Sequence, residues 1–130
     1  MTYPMREVAP ATATGVADGG AVELQVLTLG NVSTAGPGAT VVLHGIVSLT
    51  TGVGATMLTV RVREGTDRNG LEVGTVVVDT VAASSTYTVP IDVVLSNVDL
   101  AGAVFVLTIV ETDATTAGTV NYAFLGGYTV

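Results

Sequence analysis

The side chains that could carry out catalysis or bind a metal are few and scattered in this sequence. The chain contains one histidine, His44, and no cysteine. A structural zinc site needs four His, Cys or carboxylate ligands, and a serine hydrolase needs a histidine held between a serine and an acid. His44 lies in an apolar, strand-like segment, where a histidine satisfied within a sheet or an interface is the better interpretation. We therefore expect no catalytic residue, no metal site, no cofactor and no enzymatic activity.

The acidic side chains are more numerous, and they raise the question of a glycosidase pair or a calcium cluster. Most of them fall at predicted strand ends or on predicted wet faces, where carboxylates confer solubility. The segment from Asp67 to Gly70 resembles the start of a calcium loop, but the remaining ligands are absent. The carboxylates considered are Asp79, Asp92, Asp99, Glu111 and Asp113.

The four cationic side chains are all arginines, and the formal net charge is −7. This balance argues against binding to nucleic acid or to anionic membranes, which need clustered Lys and Arg. Arg61 and Arg63 are two residues apart and share one face of a predicted strand. They form either a solvated strand face or the cationic side of a contact with a partner.

Three aromatic residues near the end of the chain, Tyr122, Phe124 and Tyr128, follow a strand pattern. We expect them to fill the core, and the alternative is a stacking platform for a sugar.

The elements that position these residues are predicted to be β-strands. The chain has 25 valines and 21 threonines, and such β-branched residues favour a pleated, half-buried surface over a helix. Glycines and short polar clusters interrupt the chain at the intervals expected for an antiparallel sandwich or barrel.

The first twenty residues show no hydrophobic periodicity and are predicted as an extended arm, either a disordered tail or an arm ordered on a neighbouring subunit. Residues 21–130 are predicted to form one domain. The predicted strands are 21–29, 40–50, 56–64, 72–81, 86–95, 103–112, 119–125 and a final piece at 128–130.

Two of the predicted strands alternate between apolar and polar residues. In 56–64, Leu58, Val60 and Val62 should face the core and Arg61 and Arg63 the solvent. In 86–95, the core stripe is Tyr87, Val89, Ile91, Val93 and Leu95. Pro90 lacks an N–H donor, which indicates an edge strand or a bulge.

Other strands are apolar on both faces, which one sandwich cannot cover by itself. The mean hydropathy is +0.65 and only 12% of the residues are charged, yet no segment is predicted as a membrane helix. We expect copies of the same chain to cover this surplus, and a histidine in such an interface would make assembly sensitive to pH. The candidate interface residues are Val42, His44, Ile46, Val104, Val106 and Val110.

The stretches VVLHGIVSLTTGVGAT at 41–56 and LTVRVREGT at 58–66 resemble small all-β structural proteins of tailed bacteriophages, particularly head decoration (cement) proteins and related fibre domains. This resemblance implies a jelly-roll-like antiparallel β-sandwich of about seven to eight strands, with an immunoglobulin-like sandwich as the alternative fold. It also implies a homotrimer that binds the major capsid protein on the outer surface of the virion and is assembled in the host cytoplasm.

A trimeric receptor- or glycan-binding head of a fibre, as in tumour-necrosis-factor-like and C1q-like modules, would share this fold and composition. It would differ in having exposed aromatic residues or a calcium cluster at its loop tips.

Overall fold

The computed structural model describes residues 6–13, 16–17, 19–32, 39–98 and 103–129, and the chain is all-β. No helix in these ranges is long and apolar enough to cross a membrane. Within them the chain forms nine strands. These are β1 (Arg6–Ala13), β2 (Val16–Ala17), β3 (Leu24–Val32), β4 (Ala39–Thr50), β5 (Met57–Glu64), β6 (Leu71–Val78), β7 (Thr86–Val98), β8 (Ala103–Thr112) and β9 (Thr119–Thr129).

The strands form two sheets that pack as a sandwich. The five-stranded sheet has the order β1-β9-β4-β7 with β2 also beside β9, and the four-stranded sheet has the order β3-β8-β5-β6. Leaving β2 aside, the first strand pairs with the last, the second with the second-last, and so on inward, as in a long hairpin wrapped into a jelly roll. An immunoglobulin sandwich keeps several consecutive strands adjacent, whereas only β5 and β6 do so among the described strands. The jelly-roll prediction is confirmed, and the immunoglobulin alternative is wrong.

The core lies between the two sheets, where the predicted alternation places it. Leu58, Val60 and Val62 of β5 are fully buried. On β7 the stripe Val89, Ile91 and Val93 is buried, and Tyr87 and Leu95 pack against the core at either end. Pro90 lies on β7, which among the described strands pairs only with β4, so the missing N–H falls on an edge strand as predicted.

The first twenty residues contribute two strands to the edge of the five-stranded sheet. β1 pairs antiparallel with β9 from Arg6↔Thr129 to Ala13↔Ala123, with a bulge between Val8 and Ala11. β2 continues along the same partner strand. The division of the chain into an arm and a domain at residue 20 stays a prediction.

Candidate functional surface

The register of β7, β4 and β9 arranges the outward side chains of the five-stranded sheet in transverse rows. From one end of the strands to the other, the rows are Val94–Val42–Tyr128, Asp92–His44–Gly126, Pro90–Ile46–Phe124 and Thr88–Ser48–Tyr122. We call this surface the β4 face. An apolar row therefore lies on each side of the row that contains His44.

The β4 face presents large apolar side chains to solvent. Val94 is 62% exposed and Tyr122 is 42% exposed, while Val42, Ile46 and Phe124 are half-buried. Single exposed apolar residues are common, but a contiguous apolar patch on a monomer marks an interaction site. The structure thus brings three of the predicted interface residues, Val42, His44 and Ile46, onto one face, and their role in an interface stays a prediction.

A hydrogen-bonded pair of a histidine and an aspartate lies in the middle of the β4 face. His44 Nδ1 and Asp92 Oδ1 are 2.7 Å apart, and the two side chains are 56% and 67% exposed. The ring of His44 also lies 6.3 Å from that of Phe124, centroid to centroid. Because the carboxylate accepts a hydrogen bond, it holds the proton on Nδ1 and leaves Nε2 free to accept. Among the described side chains of this face, no other residue is acidic or basic.

The three aromatic residues near the C-terminus lie on this face or beside it, and not in the core. Val120, Ala123 and Leu125 of β9 fill the core and are fully buried, so the alternate positions Tyr122 and Phe124 point outward. Tyr128 pairs with Val42 on the same side. The prediction that these aromatic residues fill the core is therefore wrong.

The other three predicted interface residues lie on the opposite side of the sandwich. Val104, Val106 and Val110 belong to the outer face of the four-stranded sheet, so the structure does not bring the six residues together. Val106 is fully buried by its own subunit, between the register positions of Arg63 and Thr28. It offers no surface to a second copy.

Arg61 and Arg63 are paired inside the chain on this same outer face. Arg63 makes two parallel hydrogen bonds to Glu23, from Nε to Oε1 at 2.9 Å and from Nη2 to Oε2 at 3.1 Å. Arg61 lies 3.6 Å from Glu23 and 3.4 Å from Glu72, and Thr108 donates to Glu23 at 2.5 Å. The structure thus gives both arginines an intramolecular role, fixing the segment before β3 to the sheet, and a contact with a partner stays a prediction.

This network shifts the pKa values of Glu23 and Arg63. Burial alone raises the pKa of Glu23, but the hydrogen bonds from Arg63 and Thr108 and the charges of both arginines outweigh it and hold the pKa below its ordinary value. The hydrogen bond to Glu23 raises the pKa of Arg63, against the opposing effect of burial. Both groups are therefore charged at neutral pH.

The carboxylates do not assemble into a site. Asp79, Asp92 and Asp113 are exposed, Asp99 lies outside the described residues, and no group of three or more His, Cys, Asp or Glu in the described part of the chain could hold a metal. Glu111 is fully buried, contrary to the prediction of a solubilising carboxylate. It follows Phe105, Leu107 and Ile109 on the inward stripe of β8, and this alternation was the signal in the sequence that could have identified it.

Comparison with known proteins finds similar structures but no related sequence. No protein-family model matches the sequence, and no curated protein matches it. The structure of infectious bursal disease virus strain Gx matches with a TM-score of 0.62 and 14% identity over 98% of this chain and 32% of the viral chain. A mutant VP2 protein of the same virus, solved as derived T=1 particles, matches with a TM-score of 0.62 and 13% identity over 95% of this chain and 31% of VP2.

The globular domain of zebrafish complement 1qA protein matches with a TM-score of 0.52 and 14% identity. This match covers 96% of the present chain and 95% of the complement domain. The shared feature is the jelly-roll fold. The chain spans about a third of the length of the viral proteins and nearly all of the complement domain.

Proposed function

We propose that the protein is a structural virion protein, a capsid decoration (cement) subunit that associates through its β4 face into a homotrimer. The trimer binds the outer surface of a phage shell made of the major capsid protein and stabilises it. The observation that carries self-association is the two apolar rows of the β4 face, Val42 with Val94 and Ile46 with Phe124, which flank the row of His44 and Asp92.

A second copy of the chain is the occupant that fits this face best. Each subunit carries a net charge of −7, so copies repel one another except where their surfaces are neutral. Among the described side chains of the β4 face, Asp92 is the one carboxylate and His44 the one basic group, and Glu7 of β1 is in register with Tyr128 at the edge of the face. Fully burying an exposed Val, Ile or Phe side chain contributes roughly 1.5–3 kcal/mol. Val94 is 62% exposed, and Val42, Ile46 and Phe124 are half-buried, so covering these four side chains contributes a part of that amount for each of them.

The capsid role is supported by two independent observations. The sequence resembles phage decoration proteins at 41–56 and 58–66. The fold is shared with the VP2 protein of infectious bursal disease virus, a mutant of which was solved as derived T=1 particles. A trimer contacts a shell at three points, so modest affinity per subunit becomes tight overall binding.

The first experiment measures solution mass by light scattering over a range of protein concentrations. We expect a species of about three times 13.0 kDa. Val94→Arg, which places a cation on the β4 face, should shift the protein to the monomer. Leu71→Arg changes a residue on β6 of the other sheet that is 71% exposed, against 62% for Val94, and should leave the trimer intact because it lies away from the β4 face. A wild-type monomer at all concentrations would overturn the proposal.

The second experiment tests whether the protein binds to the shell. The purified protein is mixed with expanded shells of the major capsid protein from the same phage and sedimented. We expect the wild-type protein and Leu71→Arg to sediment with the shells and Val94→Arg to remain in the supernatant. A trimer that does not bind shells would overturn the decoration role but leave self-association standing.

The second candidate function is a trimeric receptor- or glycan-binding head of a fibre. It is favoured by the match to a complement globular domain of nearly the same extent. Binding of the labelled trimer to host cells or to a glycan array, together with absence of binding to shells, would establish this function in place of decoration.

A further inference from the structure

We propose that His44 and Asp92 form a proton-dependent contact at the centre of the β4 face, which makes self-association tighter near pH 6 than near pH 8. This inference rests on the proposed function, because it concerns what the pair does when a second copy covers the face. The pair would regulate the proposed interface through pH.

The position of the pair forces it into any contact that uses the whole face. The row of His44 and Asp92 lies between the row of Val42 and Val94 and the row of Ile46 and Pro90. A partner that covers both apolar rows must also cover the row between them. In the free subunit the pair is well solvated, with side chains 56% and 67% exposed, so covering it removes water from both groups.

The charge of the pair depends on the protonation of the imidazole. When His44 is neutral, its Nδ1–H donates to Asp92 and the pair carries a net charge of −1. When His44 is protonated, the pair is neutral overall. Removing an uncompensated carboxylate from water costs more than removing a hydrogen-bonded ion pair. The copies of a symmetric assembly also bring these negative charges closer together.

The sign of the pH effect follows from this difference. The assembled state favours the protonated imidazole, so it binds more protons than the free subunits do. By linkage, association then strengthens as the pH falls through the range in which the imidazole gains its proton. Each proton taken up changes the association constant by up to about tenfold per pH unit.

Among the described groups that neighbour His44 on the β4 face, the imidazole is the group that changes charge between pH 6 and pH 8. On β7 the facing residue is Asp92, and on β9 it is Gly126, with Tyr122 and Tyr128 in other rows of the face. On β1, Glu7 is in register with Tyr128, beyond β9. Carboxyl groups and phenols ordinarily titrate near pH 4 and pH 10. Histidine changes charge between pH 5 and 8, and the chain has one.

The experiment measures the concentration of half-assembly by analytical ultracentrifugation at pH 6 and pH 8 and constant ionic strength. For the wild-type protein we expect this concentration to be at least about tenfold lower at pH 6. His44→Gln keeps a neutral donor beside Asp92 and should remove the difference. Asp92→Asn leaves a protonated imidazole without its counter-charge and should reverse the difference, so that association is tighter at pH 8.

Two comparisons separate this inference from the proposed function. Thr88→Ala changes an uncharged residue of the same face and should keep the wild-type pH dependence; far-UV circular dichroism confirms that each variant is folded. A wild-type monomer at both pH values would overturn the proposed function. An oligomer of equal stability at pH 6 and pH 8, or one whose pH dependence survives in His44→Gln, would overturn the proton-dependent contact alone.

Discussion

Glu111 is an acidic residue at a position where the alternation of β8 requires an inward side chain. Its carboxylate is fully buried and accepts hydrogen bonds from the backbone N–H groups of Gly52, at 2.7 Å, and Gly118, at 3.0 Å. These two glycines belong to the β4–β5 and β8–β9 connections. One side chain thus joins two loops at the same end of the sandwich.

Removing this carboxylate should destabilise the fold. A buried donor left without its acceptor costs about 1–3 kcal/mol, so Glu111→Ala should lower the free energy of unfolding by about 3 kcal/mol. Glu111→Gln keeps one acceptor oxygen and should lose about half as much. Urea denaturation measures both, with the exposed Asp79→Ala as the control, for which a change within about 0.5 kcal/mol is expected. Equal losses in Glu111→Ala and Asp79→Ala would contradict this role.

Glu23 gives the stability of the protein a pH dependence in acid. Its pKa in the folded chain lies below the ordinary value of 4.5. A depressed pKa means that the ionised group stabilises the fold above about pH 4.5 and that this contribution is lost as the pH falls through the folded pKa. We therefore expect Glu23→Gln to be less stable than the wild-type protein at pH 6 and the gap to narrow at pH 3. A gap of constant size, measured by denaturation at both pH values, would contradict this expectation.

At the scale of elements, alternation within a strand was the pattern that could be interpreted reliably from sequence. It predicted the buried stripes of β5 and β7, while the missing N–H of Pro90 indicated the edge position of β7. It failed for β1, because the Ala- and Thr-rich start of the chain shows no alternation of apolar and polar residues. The partner strand of β1 is β9, which lies more than a hundred residues later in the sequence. It also assigned Tyr122 and Phe124 to the core, because alternation gives two faces without saying which one the opposite sheet covers.

The close approach of two connections makes Gly52 a position that tolerates no side chain. A Cβ atom on Gly52 would lie 1.8 Å from the carbonyl oxygen of Thr116, a backbone atom that cannot rotate away. Gly52→Ala should therefore lower the free energy of unfolding by at least about 2 kcal/mol. Gly30→Ala is the matched control, since a Cβ there meets no atom within 4 Å and alanine is better than glycine inside a strand. If both variants unfold at the same urea concentration, the two connections are less tightly packed than described.

At the scale of the whole molecule, the two outer faces of the sandwich differ in chemistry. The outer face of the four-stranded sheet carries the network of Glu23, Arg61 and Arg63, and Val106, which is in register with Arg63 on that face, is fully buried. Among the described side chains of the β4 face there is no comparable network, and Val94 and Tyr122 are exposed. The sequence predicted strands that are apolar on both sides. It did not show which residues lie over the outer side of β8. Glu23, which accepts a hydrogen bond from Thr108 of β8, is 85 positions away in sequence, so this contact could not be assigned without the fold.

This asymmetry leads to a prediction about thermal stability. Only folded subunits present the β4 face, so association draws the equilibrium toward the folded state and the melting temperature depends on protein concentration. Over a hundredfold increase in concentration, we expect the Tm of the wild-type protein and of Leu71→Arg to rise by at least about 4 °C. The Tm of Val94→Arg should stay constant, because the cation prevents coverage of the face while the core beneath remains packed. Differential scanning calorimetry at matched pH measures all three proteins, and a wild-type Tm independent of concentration would mean that the apolar rows of the β4 face remain open to solvent in the free protein.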